Sequence, residues 1–421
     1  MSNLQQKTNA LHAGHDTTLT EGTRAVPIYQ SSSYVFNSTE HAANLFGLKE
    51  FGFIYTRLNN PTNDILEKRL AAIEGGVGGA VFASGSAAIS STFLTLFKAG
   101  DHVVSSSSLY GGTFTLLNVT LPRLGIDTTF VDADSAENFQ SAIKENTKAI
   151  FIESLGNPKL DVLDIEAIAE VAKANGIPLI VDNTVATPAL LNPIKHGANI
   201  VIHSLTKFIG GQGTSLGGAV IDAGTFDWTN GKFPEFTEPS KGYHGLKYSE
   251  ALGEIAFIIK LRLEGLRDLG AALSPYNAFQ IIQGLETLEV RIKQHSKNAL
   301  ELAQWLENQE EVAWVNYPGL ASSKYNTLSK KYLPKGQSGV LTFGLKGGYE
   351  AAQKFTDATE LFSILANIGD TKSLIIHPAS TTHQQLTAEE QLSAGVTPDL
   401  IRLSVGLEDI EDLKNDIKQA F

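Results

Sequence analysis

The predicted chemistry of this chain centres on a lysine that follows a short apolar strand. Ile200–Ile202 form a β-branched run that predicts a strand. Lys207 comes next, preceded by Thr206 and followed by a glycine-rich stretch that begins at Gly210. A lysine amine in this setting can form a Schiff base with a carbonyl compound, and glycines let the backbone approach a ligand closely. Taken alone, the stretch also fits a surface lysine before a glycine turn.

Other polar residues follow predicted strands earlier in the chain. Asp182 ends the apolar run I-P-L-I-V-D, and Tyr110 and Asn157 follow two preceding strands. The turn Ser84–Ala88 comes directly after a strand and opens a helix. In a mostly parallel sheet with helices on both faces, ligands bind beyond the carboxyl ends of the strands. We therefore expect these residues to lie around one site.

This set of residues fits pyridoxal 5′-phosphate (PLP). Lys207 would form the Schiff base, and Asp182 would pair with the protonated pyridine nitrogen, which keeps the ring an electron sink. The helix that begins near Gly85 would bind the phosphate at its N-terminus. Tyr110 would stack on the ring, and Asn157 would donate to the phenolate oxygen. Each residue alone also has an ordinary structural explanation, so the hypothesis depends on their combined order.

The first 60 residues predict a mostly irregular arm that contacts a neighbouring subunit. Tyr55 and Arg57 are two positions apart, so their side chains point the same way in an extended segment. By itself, this pair fits a tyrosine packed on an arginine stem at a subunit contact.

The remaining chain divides into two predicted domains. Residues 61–275 alternate strands with helices and form the large domain, with an irregular aromatic insert at about 224–250 that fits a binding loop or lid. Residues 276–421 begin with a long helical region and end in a smaller α/β domain. Arg402 lies in an apolar strand of that domain, where an unpaired guanidinium is unfavourable. We therefore expect a carboxylate partner, either internal or from a ligand.

Composition excludes several classes of function. The net charge of −12 over 421 residues argues against nucleic acid or an anionic membrane as a partner. The absence of cysteine excludes disulfides, a thiolate metal site and a cysteine nucleophile, and it suits a reducing cytosol. The N-terminal residues lack the apolar region of a secretory signal, and no apolar run approaches the length of a membrane span. We expect a cytoplasmic enzyme without a metal.

Competing motifs are weaker. No P-loop motif occurs, and the closest histidine pair, His12 and His15, has no evident third ligand. Gly213–Gly217 matches G-x-S-x-G, but a glycine loop precedes it and an apolar strand follows, which is the wrong context for a nucleophile elbow. A non-catalytic PLP-binding or regulatory protein of the same fold remains an alternative.

The ordered motifs resemble the Cys/Met-metabolism PLP enzymes of the cystathionine γ-synthase-like family over essentially the whole chain. The resemblance is carried by Y-T-R-L-N-N-P-T, S-G-S-A-A, L-Y-G-G-T, G-N-P, V-D-N-T, H-S-L-T-K-F-I-G-G-Q-G-T, S-L-I-I-H-P-A-S-T-T-H and I-R-L-S-V-G-L-E. The segment F-D-W-T-N-G-K-F-P-E-F-T-E-P-S-K-G-Y-H-G resembles the O-acetylhomoserine sulfhydrylase branch in particular.

This resemblance implies an α/β fold of fold-type I, like aspartate aminotransferase, with a mostly parallel sheet, helices on both faces and a smaller C-terminal α/β domain. It implies PLP as cofactor and a homo-oligomer, usually a tetramer of catalytic dimers. The implied reaction is γ-replacement on O-acetyl-L-homoserine with sulfide, which gives L-homocysteine and acetate. γ-Elimination, as in methionine γ-lyase, and cystathionine synthesis remain alternatives. The leaving acyl group and the sulfur donor stay open.

The resemblance also implies a role for each site residue. Lys207, Tyr110 and Asp182 would be catalytic, and Arg402 would bind the substrate carboxylate. The phosphate would be bound by Gly85, Ser86, Ser204 and Thr206, joined by Tyr55 and Arg57 of the neighbouring subunit. Asn157, Ser373 and Tyr55 would also lie near the substrate. The γ-lyase branch has a cysteine where this chain has Gly112, which argues against the γ-lyase alternative.

Overall fold

Two β-sheets organise the chain. The computed structural model describes residues 4–385 and 387–421, and within these ranges the strands form one sheet of seven strands and one of five. The strands are β1 Gly78–Phe82, β2 His102–Ser106, β3 Asp127–Val131, β4 Thr147–Glu153, β5 Leu179–Asp182, β6 Ile200–Ser204, β7 Gly218–Asp222, β8 Val312–Asn316, β9 Val340–Leu345, β10 Ser363–Ile364, β11 Leu374–Ile376 and β12 Leu400–Ser404.

Helices surround both sheets. The α-helices are α1 Gln6–His12, α2 Thr39–Phe46, α3 Pro61–Glu74, α4 Gly85–Leu96, α5 Gly111–Thr115, α6 Ala136–Ala142, α7 Ile165–Ala174, α8 Thr187–Leu190, α9 Pro234–Thr237, α10 Tyr248–Leu252, α11 Ala256–Leu261, α12 Pro275–Glu286, α13 Leu288–Leu306, α14 Asn326–Tyr332, α15 Gly348–Ala358, α16 Ala388–Ser393 and α17 Ile410–Ala420. Two π-helical turns, Leu116–Thr120 and Arg262–Asp268, continue α5 and α11. Within the described ranges, none of these helices is both long and apolar enough to cross a membrane.

The large sheet has the strand order β1-β7-β6-β5-β4-β2-β3. The strands from β6 to β3 pair in parallel, and β7 runs antiparallel to both of its neighbours. Alternate residues of each strand enter two apolar cores, as Ile180 and Val181 of β5 do. Apolar side chains on both faces require cover on both faces. The mostly parallel, doubly covered sheet expected from the sequence is confirmed.

The small sheet has the order β10-β11-β12-β9-β8 and is antiparallel except for the β10–β11 pair. One face packs in a third apolar core that contains residues of α13, α15 and α17. This sheet carries Arg402 on β12. The domain boundaries at residues 60 and 275 stay predictions.

The N-terminal 60 residues are more regular than the sequence suggested. They contain α1 and α2, and α1 packs on α3 and α12 of the same chain. Both helices are short, and α2 is capped by the Ser38 side chain, which accepts from the amide of His41. Such brief amphipathic segments have little periodic signal, which is why the sequence reading missed them.

The aromatic insert at residues 224–250 packs as a hydrophobic cluster. Trp228 stacks on Phe236 and Phe257 with ring centroids 4.3 and 5.4 Å apart, and Phe233 meets Trp228 edge-on. These rings belong to the apolar core on one face of the large sheet. Within the described residues, the cavity that contains Lys207 has no wall from this insert, so the insert is packed structure in this chain rather than a loop over that cavity.

Candidate active site

A cavity of about 780 Å³ lies at the carboxyl ends of the parallel strands, between the two sheets. A volume of this size suits a cofactor together with a small substrate. The cavity is lined by most of the residues singled out in the sequence, namely Gly85, Ser86, Tyr110, Asn157, Asp182, Ser204, Thr206, Lys207 and Arg402. As expected from the sequence, the strand ends bring these side chains around one cavity.

The N-terminus of α4 forms one end of the cavity. Ser84 is the N-cap residue, and its hydroxyl accepts from the amide of Ala87 at 3.0 Å. The helix itself provides no acceptor for its first amides, so those of Gly85 and Ser86 are free to bind an anion. A Cβ on Gly85 would lie 2.6 Å from the Cβ of Ser204, so only glycine lets α4 approach β6 this closely. This arrangement suits a phosphate group.

Lys207 lies in the turn after β6 and lines the cavity. The amine donates to Oδ1 of Asn367 at 2.6 Å. Burial, and then the nearby positive charge of Arg402, lower the pKa of Lys207 to about 8. A lysine with a lowered pKa has a larger fraction of neutral, nucleophilic amine near neutral pH.

Arg402 reaches the same cavity from β12 of the small sheet. Its guanidinium donates to Oδ1 of Asn157 at 3.1 Å and to the backbone oxygen of Asn367 at 3.3 Å. Among the described residues, no carboxylate forms an ion pair with it, although its side chain is 6% exposed. Burial lowers the pKa of Arg402 to about 10, so it remains a cation at neutral pH. Of the two partners expected from the sequence, this geometry favours a ligand carboxylate over an internal one.

Asp182 ends β5 at the floor of the cavity. Its Oδ1 accepts from the amide of Thr184 at 2.9 Å. Burial raises the pKa of Asp182, while the hydrogen bonds from Thr184 and the nearby His203 oppose that rise. A buried carboxylate that keeps hydrogen-bond donors can pair with a positively charged ring nitrogen.

Tyr55 and Arg57 lie outside this cavity. The guanidinium carbon of Arg57 is 5.5 Å from the centroid of the Tyr55 ring, and Arg57 Nη1 also donates to the backbone oxygen of Arg267. The side chains therefore form a pair, as the spacing of two suggested, but within one chain they do not meet Lys207. Their predicted role across a subunit boundary stays a prediction.

Ser373 is also placed away from the cavity. It is completely buried, and its hydroxyl donates to Oε2 of Glu408 at 2.8 Å and accepts from the amide of Gly406 at 2.8 Å. The hydrogen-bonding capacity of the hydroxyl is used within the small domain. In this chain Asn367, rather than Ser373, lies beside Lys207 and Arg402.

The cavity residues that the sequence reading missed include three polar ones that bear on its chemistry, Glu153, Asn367 and His383. Glu153 ends a strand just as Asp182 does, so the same signal could have found it. Asn367 and His383 lie in irregular segments of the small domain and have no local signal. Burial and the charge of Arg402 lower the pKa of His383 to about 4, so its imidazole is neutral at pH 7.

The residues present fit PLP. Two free helix amides and nearby hydroxyls suit its phosphate, a lysine with a lowered pKa suits its aldehyde, and a buried carboxylate suits its ring nitrogen. Gly85 keeps the phosphate end of the cavity clear of a side chain. When bound, PLP supplies the electron sink for chemistry at the α-carbon of an amino acid.

Comparison with known proteins supports the same assignment. The chain is similar to the O-acetyl-L-homoserine sulfhydrylase of Leptospira meyeri, at 56% identity over 100% of this chain and 97% of that protein. It is similar to the O-acetyl-L-homoserine sulfhydrylase 1 of Thermus thermophilus, at 53% identity over 99% of this chain and 100% of that protein.

A solved structure and a family model complete the comparison. The chain superposes with a TM-score of 0.95 and 47% identity on a Campylobacter jejuni protein assigned as O-acetylhomoserine (thiol)-lyase, covering 99% of both chains. That structure contains N′-pyridoxyl-lysine-5′-monophosphate. The family model described as Cys/Met metabolism PLP-dependent enzyme matches residues 7–421. The predicted cofactor and fold class are thereby confirmed, and this chain belongs to the family of Cys/Met metabolism PLP-dependent enzymes.

Proposed function

We propose that this chain catalyses γ-replacement on O-acetyl-L-homoserine with sulfide, which gives L-homocysteine and acetate. The observation that carries the proposal is its 56% identity, over 100% of the chain, to a protein named O-acetyl-L-homoserine sulfhydrylase. The cavity supports it, because a lysine, a buried arginine and a helix N-terminus lie where a PLP-bound amino acid needs them.

Arg402 binds the α-carboxylate of the substrate. A buried guanidinium whose described partners are neutral oxygens has donors to spare for a carboxylate. Asn157 orients it, because its Oδ1 accepts from Arg402 and its amide NH₂ remains free to donate towards the cofactor. Both residues therefore determine which way the amino acid enters.

Lys207 moves the protons. Its amine, once free, takes the proton from Cα of the amino acid, and Asn367 Oδ1 holds the Nζ in place through the 2.6 Å hydrogen bond. A further proton leaves Cβ, and acetate departs from Cγ with the electrons of the Cγ–O bond. Sulfide then forms the Cγ–S bond, and the protons return to Cβ and Cα.

Gly112 supports the choice of replacement over elimination. A Cβ at Gly112 would lie 2.6 Å from Cε1 of Tyr110, so glycine lets the Tyr110 ring lie close to the backbone of α5. The resemblance implies a cysteine at this position in the γ-lyase branch, and this chain lacks it. Tyr110 is half exposed and lines the cavity, where its ring would cover the cofactor.

The proposed assembly is a homotetramer of catalytic dimers in the cytoplasm. Val35, Phe46 and Phe51 expose large apolar side chains on the N-terminal segment, which suits burial against a second copy. Tyr55 and Arg57, which lie outside their own cavity, would reach the phosphate site of the neighbouring subunit. The absence of cysteine suits a reducing compartment.

Product analysis tests the proposed reaction. Purified protein loaded with PLP is mixed with O-acetyl-L-homoserine, with and without sulfide, and products are identified by chromatography. We expect homocysteine and acetate only when sulfide is present. Lys207→Ala should form neither, and the variant Lys173→Ala, which changes an exposed lysine on α7, should behave as the parent protein.

Two outcomes would contradict the proposal. Ammonia and 2-oxobutyrate as the main products under both conditions would identify a γ-lyase. Turnover only when cysteine replaces sulfide, with cystathionine as product, would identify a cystathionine γ-synthase. In either case PLP would remain the assigned cofactor of this cavity, and only the reaction would be reassigned.

A further inference from the structure

A second carboxyl group lies beside Asp182 in the cavity wall. Glu153 is the last residue of β4 and pairs in register with Asp182, the last residue of β5. Both line the cavity, and Glu153 is only 5% exposed. Among the described residues, the charged groups that act on Glu153 are the acidic side chains of Asp182 and Asp161.

Two adjacent buried carboxyl groups do not readily ionise together. Burial, and then the charge of Asp182, raise the pKa of Glu153 well above its ordinary value. Asp182 is better supplied with groups that stabilise its charge, because the amide and hydroxyl of Thr184 donate to it and His203 lies nearby. These contacts favour a protonated Glu153 beside an ionised Asp182.

Glu153 also holds the backbone that carries the ring of Tyr110. Its Oε1 accepts from the amide of Tyr110 at 2.7 Å. Tyr110 precedes α5 and has no side-chain cap of its own, and its side chain is 53% exposed. Because about half of Tyr110 is exposed, the position of its backbone contributes to where the ring lies.

We propose that Glu153 is a positioning residue of the cofactor site, which fixes the backbone of Tyr110 and leaves Asp182 as the one ionised carboxylate of the pair. The inference rests on PLP binding in this cavity and goes beyond the proposed reaction. It links residues on three neighbouring strand ends, since Tyr110 follows β2, Glu153 ends β4 and Asp182 ends β5. Glutamate is suited to this place because its protonated carboxyl group can still accept hydrogen bonds from the backbone amides of Tyr110 and Asn157 while carrying no charge.

Two substitutions of Glu153 separate its role as a hydrogen-bond acceptor from its charge. Glu153→Gln is neutral and keeps an acceptor for the Tyr110 amide, whereas Glu153→Ala removes the acceptor. The readouts are the dissociation constant of PLP, by titration of the apoprotein, and the induced circular dichroism of the bound cofactor. No amino-acid substrate is present, so an error in the proposed reaction would not alter either measurement. Glu170→Gln, at an exposed position on α7, is the matched control.

We expect Glu153→Gln to bind PLP within about twofold of the parent protein, with the same dichroism, because one neutral acceptor replaces another. Glu153→Ala should bind about tenfold more weakly, the loss expected for a buried amide left without its partner, with reduced dichroism. Asp182→Asn should weaken binding more than Glu153→Gln, because only Asp182 carries the charge.

The proposal fails if Glu153→Gln loses as much affinity as Glu153→Ala, since the negative charge of Glu153 would then matter. It also fails if Glu153→Ala keeps both the affinity and the dichroism of the parent protein. Far-ultraviolet dichroism checks that each variant is folded. If Glu153→Ala does not fold, Glu153→Met fills a similar volume with only a weak acceptor and takes its place in the same comparison.

Discussion

At the scale of single residues, the site combines the half-buried Lys207 and the buried Arg402, which have no acidic partner among the described residues. Lys207 and Arg402 share Asn367, whose side-chain oxygen accepts from the lysine and whose backbone oxygen accepts from the arginine. Their mutual repulsion and their burial both favour an incoming anion. The substrate carboxylate is such an anion, so the charges that line the cavity favour the binding of an amino acid.

Arg402→Ala should mainly weaken substrate binding. Hydrogen bonds to charged groups contribute about 1.5–3 kcal/mol each, so kcat/KM for O-acetyl-L-homoserine should fall by about a hundredfold, largely through KM. Steady-state kinetics measure the change, and the α-carboxamide analogue of the substrate is the control. If the variant loses the same factor with the carboxamide, Arg402 does not act on the carboxylate.

The lowered pKa of Lys207 predicts the pH dependence of cofactor uptake. The neutral amine attacks the aldehyde, so the uptake rate of the apoprotein should rise about tenfold per pH unit below a midpoint of about 8 and level off above it. Stopped-flow absorbance records the rate at each pH.

Arg402→Ala provides the control for this profile, since it removes one of the two causes of the lowered pKa. Its midpoint should move to higher pH. A midpoint near 10 in the parent protein, or one that Arg402→Ala leaves unchanged, would contradict the electrostatic account.

At the scale of elements, the site depends on how closely α4 approaches β6. Glycine normally weakens a helix relative to alanine by about 1 kcal/mol, yet Gly85 stands at the first position of α4. The contact with Ser204 explains this choice, because a methyl group would meet the Ser204 side chain at 2.6 Å. The helix amides and the strand hydroxyls can then face the same phosphate.

Gly85→Ala should therefore destabilise the protein despite the better helix propensity of alanine. Overpacking of this kind costs about 1–3 kcal/mol, and PLP affinity should fall with it. Urea unfolding of the apoprotein and PLP titration measure the two effects. Gly242→Ala is the matched control, because its Cβ would have its nearest neighbour at 3.9 Å. Unchanged stability and affinity in Gly85→Ala would show that α4 can move away freely.

At the scale of the whole molecule, the cavity joins two sheets that are distant in sequence. The large sheet contributes Asp182 and the residues after β6, and the small sheet contributes Arg402. Tyr55 is exposed and Arg57 is half-buried, and the two form a separate pair outside this cavity. This arrangement supports a site that a second copy of the chain completes.

A mixture of two inactive variants tests the shared site. Arg57→Ala and Lys207→Ala should each be inactive or nearly so, but subunit exchange should form hybrids with one intact site. Random exchange in a twofold dimer would restore about a quarter of the parent activity. Sedimentation and native mass spectrometry verify the hybrids, and Lys207→Ala mixed with Asp182→Asn, whose lesions fall in the same subunit's cavity, is the control. Hybrids without recovered activity would refute a role in trans.

Much of the site was accessible from the sequence because its residues follow strands. Asp182, Asn157, Tyr110 and Lys207 each come after an apolar run, and parallel strands bring their carboxyl ends to one edge. Glu153 carries the same signal and was overlooked because a strand-end glutamate is common. No local pattern reveals that the hydroxyl of Ser373 is bound to Glu408 and Gly406, and the role of Ser373 near the substrate stays a prediction.

The sequence by itself determined the fold class, the cofactor family and the residues at the strand ends, because hydrophobic periodicity and motif order are local properties of the chain. Tertiary structure alone decided that Arg402 meets Asn157 and Asn367 instead of an internal carboxylate, and that Glu153 lies beside Asp182. These contacts join segments far apart in the chain. Their protonation and their partners follow from burial and from the register of neighbouring strands, which exist only once the chain has folded.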